Sequence, residues 1–119
     1  MAEQQDNPVV FLEPTRLYRA AREDVADDGA GLPLERCAVL RSGRDLTLVS
    51  WGAMIKETLE AADTLAAEGI EAEVVDVQTL KPLDSATILD SVTRTGRIVI
   101  VHEAPLTSGF GAEIAARVA

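Results

Sequence analysis

The chain holds a single histidine, His102, followed directly by Glu103. An imidazole beside a carboxylate can move a proton near neutral pH. The pair follows the β-branched run Arg97-Ile98-Val99-Ile100-Val101, which places it at the carboxyl end of a strand, where open α/β sheets gather ligands. No nucleophile or metal ligand stands at a useful spacing from it. The reading favoured for His102 and Glu103 is therefore that they flank the strand exit and bond to nearby backbone or to another subunit. A second feature is Ser108-Gly109-Phe110-Gly111-Ala112-Glu113, two glycines at a turn into a helix, where free N–H groups can hold a phosphate or carboxylate. It lacks the third glycine of the dinucleotide fingerprint and follows the last strand rather than the first, so close helix-to-strand packing accounts for the glycines better. Cys37 is the only cysteine. Arg36 beside it can lower a thiol pKa if both are exposed, but a buried structural thiol fits its apolar context better. Trp51, at the end of another strand, reads as a packing or interface residue.

These residues need elements to hold them. Residues 46–51 read as a strand, and 53–68 as a helix with Ile55, Leu59, Ala62 and Ala66 on one face and Gly69 at its end. The acidic residues Glu57, Glu60, Asp63 and Glu68 fall on the opposite, solvated face. Residues 70–77 read as the next strand. Asp84 is placed to cap a second helix whose buried face is Ile88, Leu89 and Val92, ended by Gly96. Residues 97–102 have the continuous apolar character of a strand buried on both faces, and 108–119 begin a third helix. Strand alternating with helix through short turns predicts a three-layer α/β/α fold with a mainly parallel sheet. Ahead of it, 34–40 read as a short edge strand, 18–31 as a charged surface linker, and 8–12 as an isolated strand.

The composition agrees with one packed domain: 47% of residues are hydrophobic and 26% charged. A net charge of −9 would repel a phosphate backbone, which argues against nucleic acid as a partner. No apolar run approaches the roughly 18 residues of a membrane span, so no membrane partner is expected. One cysteine and no zinc-ligand spacing fit a reducing cytoplasm.

Taken in order, Leu48-Val49-Ser50-Trp51-Gly52-Ala53-Met54, then Glu71-Ala72-Glu73-Val74-Val75-Asp76-Val77-Gln78-Thr79-Leu80-Lys81-Pro82-Leu83-Asp84, then Val101-His102-Glu103-Ala104-Pro105 closely resemble the transketolase C-terminal domain family. Phe11-Leu12-Glu13-Pro14 with Leu17-Tyr18-Arg19, and Ser108 through Ile114, are similar to beta chains of pyruvate, branched-chain 2-oxoacid and acetoin dehydrogenases. The resemblance implies that 1–19 are the tail of a preceding pyrimidine-binding domain, 20–44 a linker, and 45–119 a transketolase C-terminal-like domain, incomplete at its C-terminus. A stop inside an apolar helical pattern suggests the same truncation. It further implies a bacterial, cytoplasmic parent enzyme that decarboxylates a 2-oxoacid on thiamine diphosphate with Mg and passes the acyl group to a lipoyl arm. The implied partners are an alpha chain, a second beta chain and a lipoyl acyltransferase component. In such enzymes the cofactor is held by the alpha chain and by the beta chain's earlier domain. No catalytic, cofactor or metal residue is therefore carried over here, and the chain alone is expected to be inactive. His102, Glu103 and Phe110 remain as interface candidates. His102 through Thr107 lean toward the branched-chain type. A sheet edge left unpaired predicts dimerisation or strand exchange. The alternative is a free-standing small-anion or nucleotide-binding α/β module built on Ser108 through Glu113.

Overall fold

The computed structural model describes residues 8–12, 14–15, 18–19, 24 and 33–119. The chain separates into a unit ending at Pro33 and a compact unit from Leu34 to Ala119. In the first, residues 8–12 are not a strand, contrary to expectation: Val10, Phe11 and Leu12 are exposed, and β-branched residues form a strand only where a neighbouring strand takes their N–H and C=O groups. Most of the charged linker expected at 18–31, and much of the expected domain tail at 1–19, lie outside the described residues.

The second unit contains β1 (Ala38–Arg41), β2 (Leu46–Ser50), α1 (Ile55–Ala67, entered through a 3-10 turn at Gly52–Met54), β3 (Ala72–Asp76), α2 (Ser85–Thr95), β4 (Ile98–Val101) and α3 (Phe110–Val118). The sheet order is β1-β3-β2-β4. Strands β3, β2 and β4 are parallel, and β1 runs antiparallel to β3 with a bulge between Val39 and Arg41. The compact unit thus opens ahead of residue 45, and β1 belongs to its sheet. The alternation of side chains along each strand divides the core in two. Leu48, Ala72 and Val74 face α1 and meet Ala62. Val49, Val75 and Val77 face the other way and meet Ile88 of α2 and Ile114 of α3. Three layers result, as expected, and each fully buried Val or Ile contributes about 1.5–3 kcal/mol.

Helix α1 begins and ends as its sequence requires, with Thr58 and Ala62 buried and its acidic residues exposed. Helix α2 is capped by Asp84, whose carboxylate accepts the Thr87 N–H at 3.1 Å, and closes on Gly96 in the left-handed region. Its buried face differs from expectation. Leu89 is 39% exposed, and Ile88, Ser91 and Thr95 point inward. The two hydroxyls are accommodated because Thr47 Oγ1 lies 2.7 Å from each of them. A small buried polar network therefore replaces the apolar contact that Leu89 would have made.

Strand β4 is the second correction. It is not buried on both faces: it forms the open edge of the sheet, and Val99 is 48% exposed. Helix α1 lies over β2 and β3, and among the described residues none covers Val99 on that side, whereas Ile98 and Ile100 pack against the α2 and α3 core.

Candidate functional site

The parallel strands end together in Ser50-Trp51, Asp76-Val77 and Val101-His102, and α3 starts beside them. There the His102 ring stacks on Trp51, with centroids 5.2 Å apart and planes 18° from parallel. Phe110, the first residue of α3, meets the other part of Trp51 edge-on at 5.9 Å. Offset stacking and edge-to-face contacts are the favoured aromatic geometries. Trp51, assigned no chemistry from sequence, is the hub of this cluster, and two of the expected interface residues, His102 and Phe110, converge on it. Glu103 lies exposed on the turn that follows.

The two glycines of the α3 turn are explained by the same ring. A Cβ on Gly111 would stand 2.7 Å from His102 Cδ2 and closer still to Nε2. A Cβ on Gly109 would stand 2.9 Å from His102 Cε1 and would also meet the Pro105 carbonyl oxygen. Both glycines are buried. They let α3 press against the imidazole, which is the packing role expected for them. The His102 Nδ1 and the Ser50 Oγ are buried without a hydrogen-bond partner among the described residues.

Gly111→Ala is accordingly expected to destabilise the chain. Alanine in a helix should gain about 1 kcal/mol over glycine, but here overpacking of the kind that costs about 1–3 kcal/mol opposes it. Urea unfolding should show a net loss. The same substitution made together with His102→Ala should be neutral or stabilising, since the obstructing ring is gone. A loss of equal size in both backgrounds would rule out the ring as its cause.

Cys37 ends up far from reactive. Its thiol donates to the Asp84 carbonyl at 3.6 Å and its N–H donates to the Asp84 carboxylate at 3.0 Å. Burial, reinforced by the charges of Asp84 and Asp76, pushes the thiol up to about 12, the opposite of the activation that Arg36 suggested. Burial likewise raises Asp76, partly offset by a hydrogen bond with Gln78. For Asp84 burial acts upward too. The Thr87 hydroxyl, the N–H groups of Cys37 and Thr87 and the Arg36 charge outweigh it and hold the carboxylate low. Arg36 thus acts on Asp84, a pairing that adjacency in sequence conceals.

Beside the aromatic cluster runs an open groove of about 830 Å³, lined by Leu80, Lys81, Pro82 and Leu83 on one side and by Ser108, Phe110, Glu113 and Arg117 on the other. Leu80 is part-exposed on it, and Leu106, on the turn after Glu103, is 89% exposed. The arrangement offers a wide, partly apolar surface with charges at its rim, and no nucleophile set beside a base. Such a surface suits contact with another chain.

Residues 35–119 match the family described as transketolase, C-terminal domain. The chain is 50% identical over 112 residues to 2-oxoisovalerate dehydrogenase subunit beta 2, mitochondrial, of Arabidopsis thaliana, covering 94% of this chain and 31% of that one. It is 44% identical over 113 residues to the pyruvate dehydrogenase E1 component subunit beta of Bacillus subtilis, covering 95% of this chain and 35% of that one. It thus spans about a third of the length of these relatives. Among solved structures, the split gene transketolase described as an inactive beta4 tetramer superposes with a TM-score of 0.71 at 36% identity, over 81% of this chain and 32% of that one.

Proposed function

Because the chain belongs to the transketolase C-terminal domain family, we propose that it is an assembly and docking domain from the beta subunit of a thiamine-diphosphate-dependent 2-oxoacid dehydrogenase. The observation that carries this reading is identity sustained along nearly the whole chain with the beta subunits of two such dehydrogenases. The parent enzyme oxidatively decarboxylates a 2-oxoacid and transfers the acyl group to lipoamide. The resemblance of His102 through Thr107 to the branched-chain type supports a branched-chain substrate. Its partners are an alpha chain, a second beta chain and the lipoyl acyltransferase component. Cys37, the single thiol, supports a reducing compartment, here a bacterial cytoplasm.

The described residues do not fit the cofactor of that reaction. No three His, Cys, Asp or Glu side chains among them converge on a point where Mg could bind, and the α3 turn is filled by His102. We propose that thiamine diphosphate and Mg are held by the alpha chain and by another part of the beta chain. What these residues supply is a rigid surface: Trp51, His102 and Phe110 fix the first turn of α3, and Leu80 and Leu106 stand beside it with apolar area to bury.

The test is size-exclusion chromatography of the purified chain with a branched-chain dehydrogenase alpha chain and, separately, with its acyltransferase component. Co-elution with at least one is expected, and Leu106→Glu should abolish it while leaving the thermal melt unchanged. Failure to bind either, together with stabilisation by micromolar phosphate or nucleotide that Gly111→Val removes, would instead favour the anion-binding module.

A further inference from the structure

Ser50 and Asp76 are the last residues of β2 and β3 and stand side by side in the parallel register. Two residues before them, Leu48 and Val74 meet Ala62 of α1. By alternation the Ser50 and Asp76 side chains lie on that same face, opposite the one on which Trp51 packs. Both lack what burial requires of a polar group. Ser50 is 0% exposed, and its hydroxyl has no partner among the described residues. Asp76 is half-buried, and among the described residues no lysine or arginine pairs with it. A hydrogen bond with Gln78 only partly offsets the burial that raises it. Its neighbours are provided for: Glu73, three residues earlier, is held by Arg94, and Asp84 by Thr87 and the Cys37 N–H.

We propose that Ser50, Asp76 and Gln78 bind a monovalent metal cation, sodium or potassium, at the carboxyl end of β2 and β3. A cation there satisfies both buried groups at once, taking a lone pair from the Ser50 hydroxyl and neutralising the Asp76 carboxylate. The chemistry of the donors selects the class. All are oxygens, the kind of ligand that hard cations take: the hydroxyl, the carboxylate, and the Gln78 amide oxygen that remains when its nitrogen donates to Asp76. One carboxylate balances one positive charge, whereas calcium sites gather more of them, and no set of three His, Cys, Asp or Glu side chains suited to a metal exists among the described residues. Gln78 is exposed, so the ion enters from solvent and keeps part of its water shell. Strand β3 lies between β1 and β2, and β2 between β3 and β4, so ladders on both sides hold Ser50 and Asp76 in place.

Thermal unfolding of the full chain in potassium, sodium and choline chloride at equal ionic strength tests this. Choline supplies the same screening but is too large to sit between the two side chains. A saturable rise in melting temperature is expected in at least one of the metal salts and not in choline. Asp76→Asn should abolish the rise. Ser50→Ala leaves the charge unchanged. It should melt no lower than the native chain in choline chloride, because it removes an unpaired buried hydroxyl, yet need roughly tenfold more metal ion for the same rise. Crystals of the native chain soaked in thallium, a heavy monovalent stand-in, should show anomalous density between Ser50 and Asp76. Equal melting in all three salts would overturn the proposal. So would a rise that both substitutions leave intact, or thallium bound only elsewhere.

Discussion

Arg94→Met is expected to lower the melting temperature of the chain by roughly 15 °C at neutral pH, the cost of stranding a buried carboxylate. Glu73 lies in the central strand β3, 2% exposed. Arg94 reaches it from α2 with two N–H donors, at 2.7 and 3.1 Å. Burial alone would push the Glu73 carboxyl up, but the hydrogen bonds from Arg94 and Ser91, the Arg94 charge and the Gly43 N–H outweigh it and hold Glu73 below the usual range. Methionine keeps much of the stem's packing and removes the charge, leaving burial to act largely unopposed. The pH dependence distinguishes this account from lost packing. In the native chain Glu73 titrates lower folded than unfolded, so its contribution is fully present above about pH 4.3 and is lost as pH falls through its lower folded value. In the variant its folded value is raised, and acid relieves the penalty. The difference in stability between the two proteins should therefore shrink steadily from pH 7 toward pH 4. A difference that stays constant over that range would show that Arg94 acts through its methylenes.

Sequence reasoning reached the order of elements because that order depends on local signals. The Asp84 cap, the Gly96 stop and the apolar periodicity of α1 all act within a turn or two of the chain. It failed where the answer depends on which strand lies beside which. The run Ile98 to Val101 looks like an interior strand in composition, and only the order β1-β3-β2-β4 makes it an edge. Likewise no local signal tells that the polar strand residues Glu73 and Thr47 are buried, which they are because α2 covers their face and brings Arg94, Ser91 and Thr95 to meet them. The segment at 8–12 has strand composition but joins no ladder among the described residues.

The candidate site was legible in the same uneven way. His102, Phe110 and the glycines of the α3 turn stood out because their types are rare or special in this chain. Trp51 was visible, but its place at the centre of the cluster was not, since a stack between β2 and the end of β4 joins residues about half the chain apart. The glycines were read as packing residues, but what they pack against, one imidazole, required the structure. For Cys37 the structural thiol favoured from its apolar context agrees with the structure, but its partner was hidden: the fold turns both Cys37 and Arg36 toward Asp84, one as donor and the other as counter-charge.

Gly43→Ala should be the most damaging single-methyl addition in the chain, costing about 3 kcal/mol in urea unfolding. No left-handed backbone conformation is involved; the obstacle is space. A Cβ at this position would come within 3.0 Å of the Ala72 carbonyl carbon and oxygen and of the Glu73 nitrogen. These are backbone atoms of β3, the strand held on both sides by β1 and β2, and no rotamer change can move them. The connection between β1 and β2 would have to lift away instead. With it would go the bonds from the Arg44 and Asp45 N–H groups to the Glu71 carbonyl at 3.0 and 2.9 Å, and the Gly43 N–H that supports the Glu73 carboxylate. Ser42→Ala, one residue earlier and exposed, should change little. Because Gly43 and Arg94 support the same carboxylate, their substitutions should not be additive. Once Arg94→Met has raised Glu73, the N–H of Gly43 has less charge to hold, and the double variant should lose less than the sum of the two single losses. Strict additivity would mean that Gly43 is needed only for its small size, and that its hydrogen bond to Glu73 contributes nothing measurable.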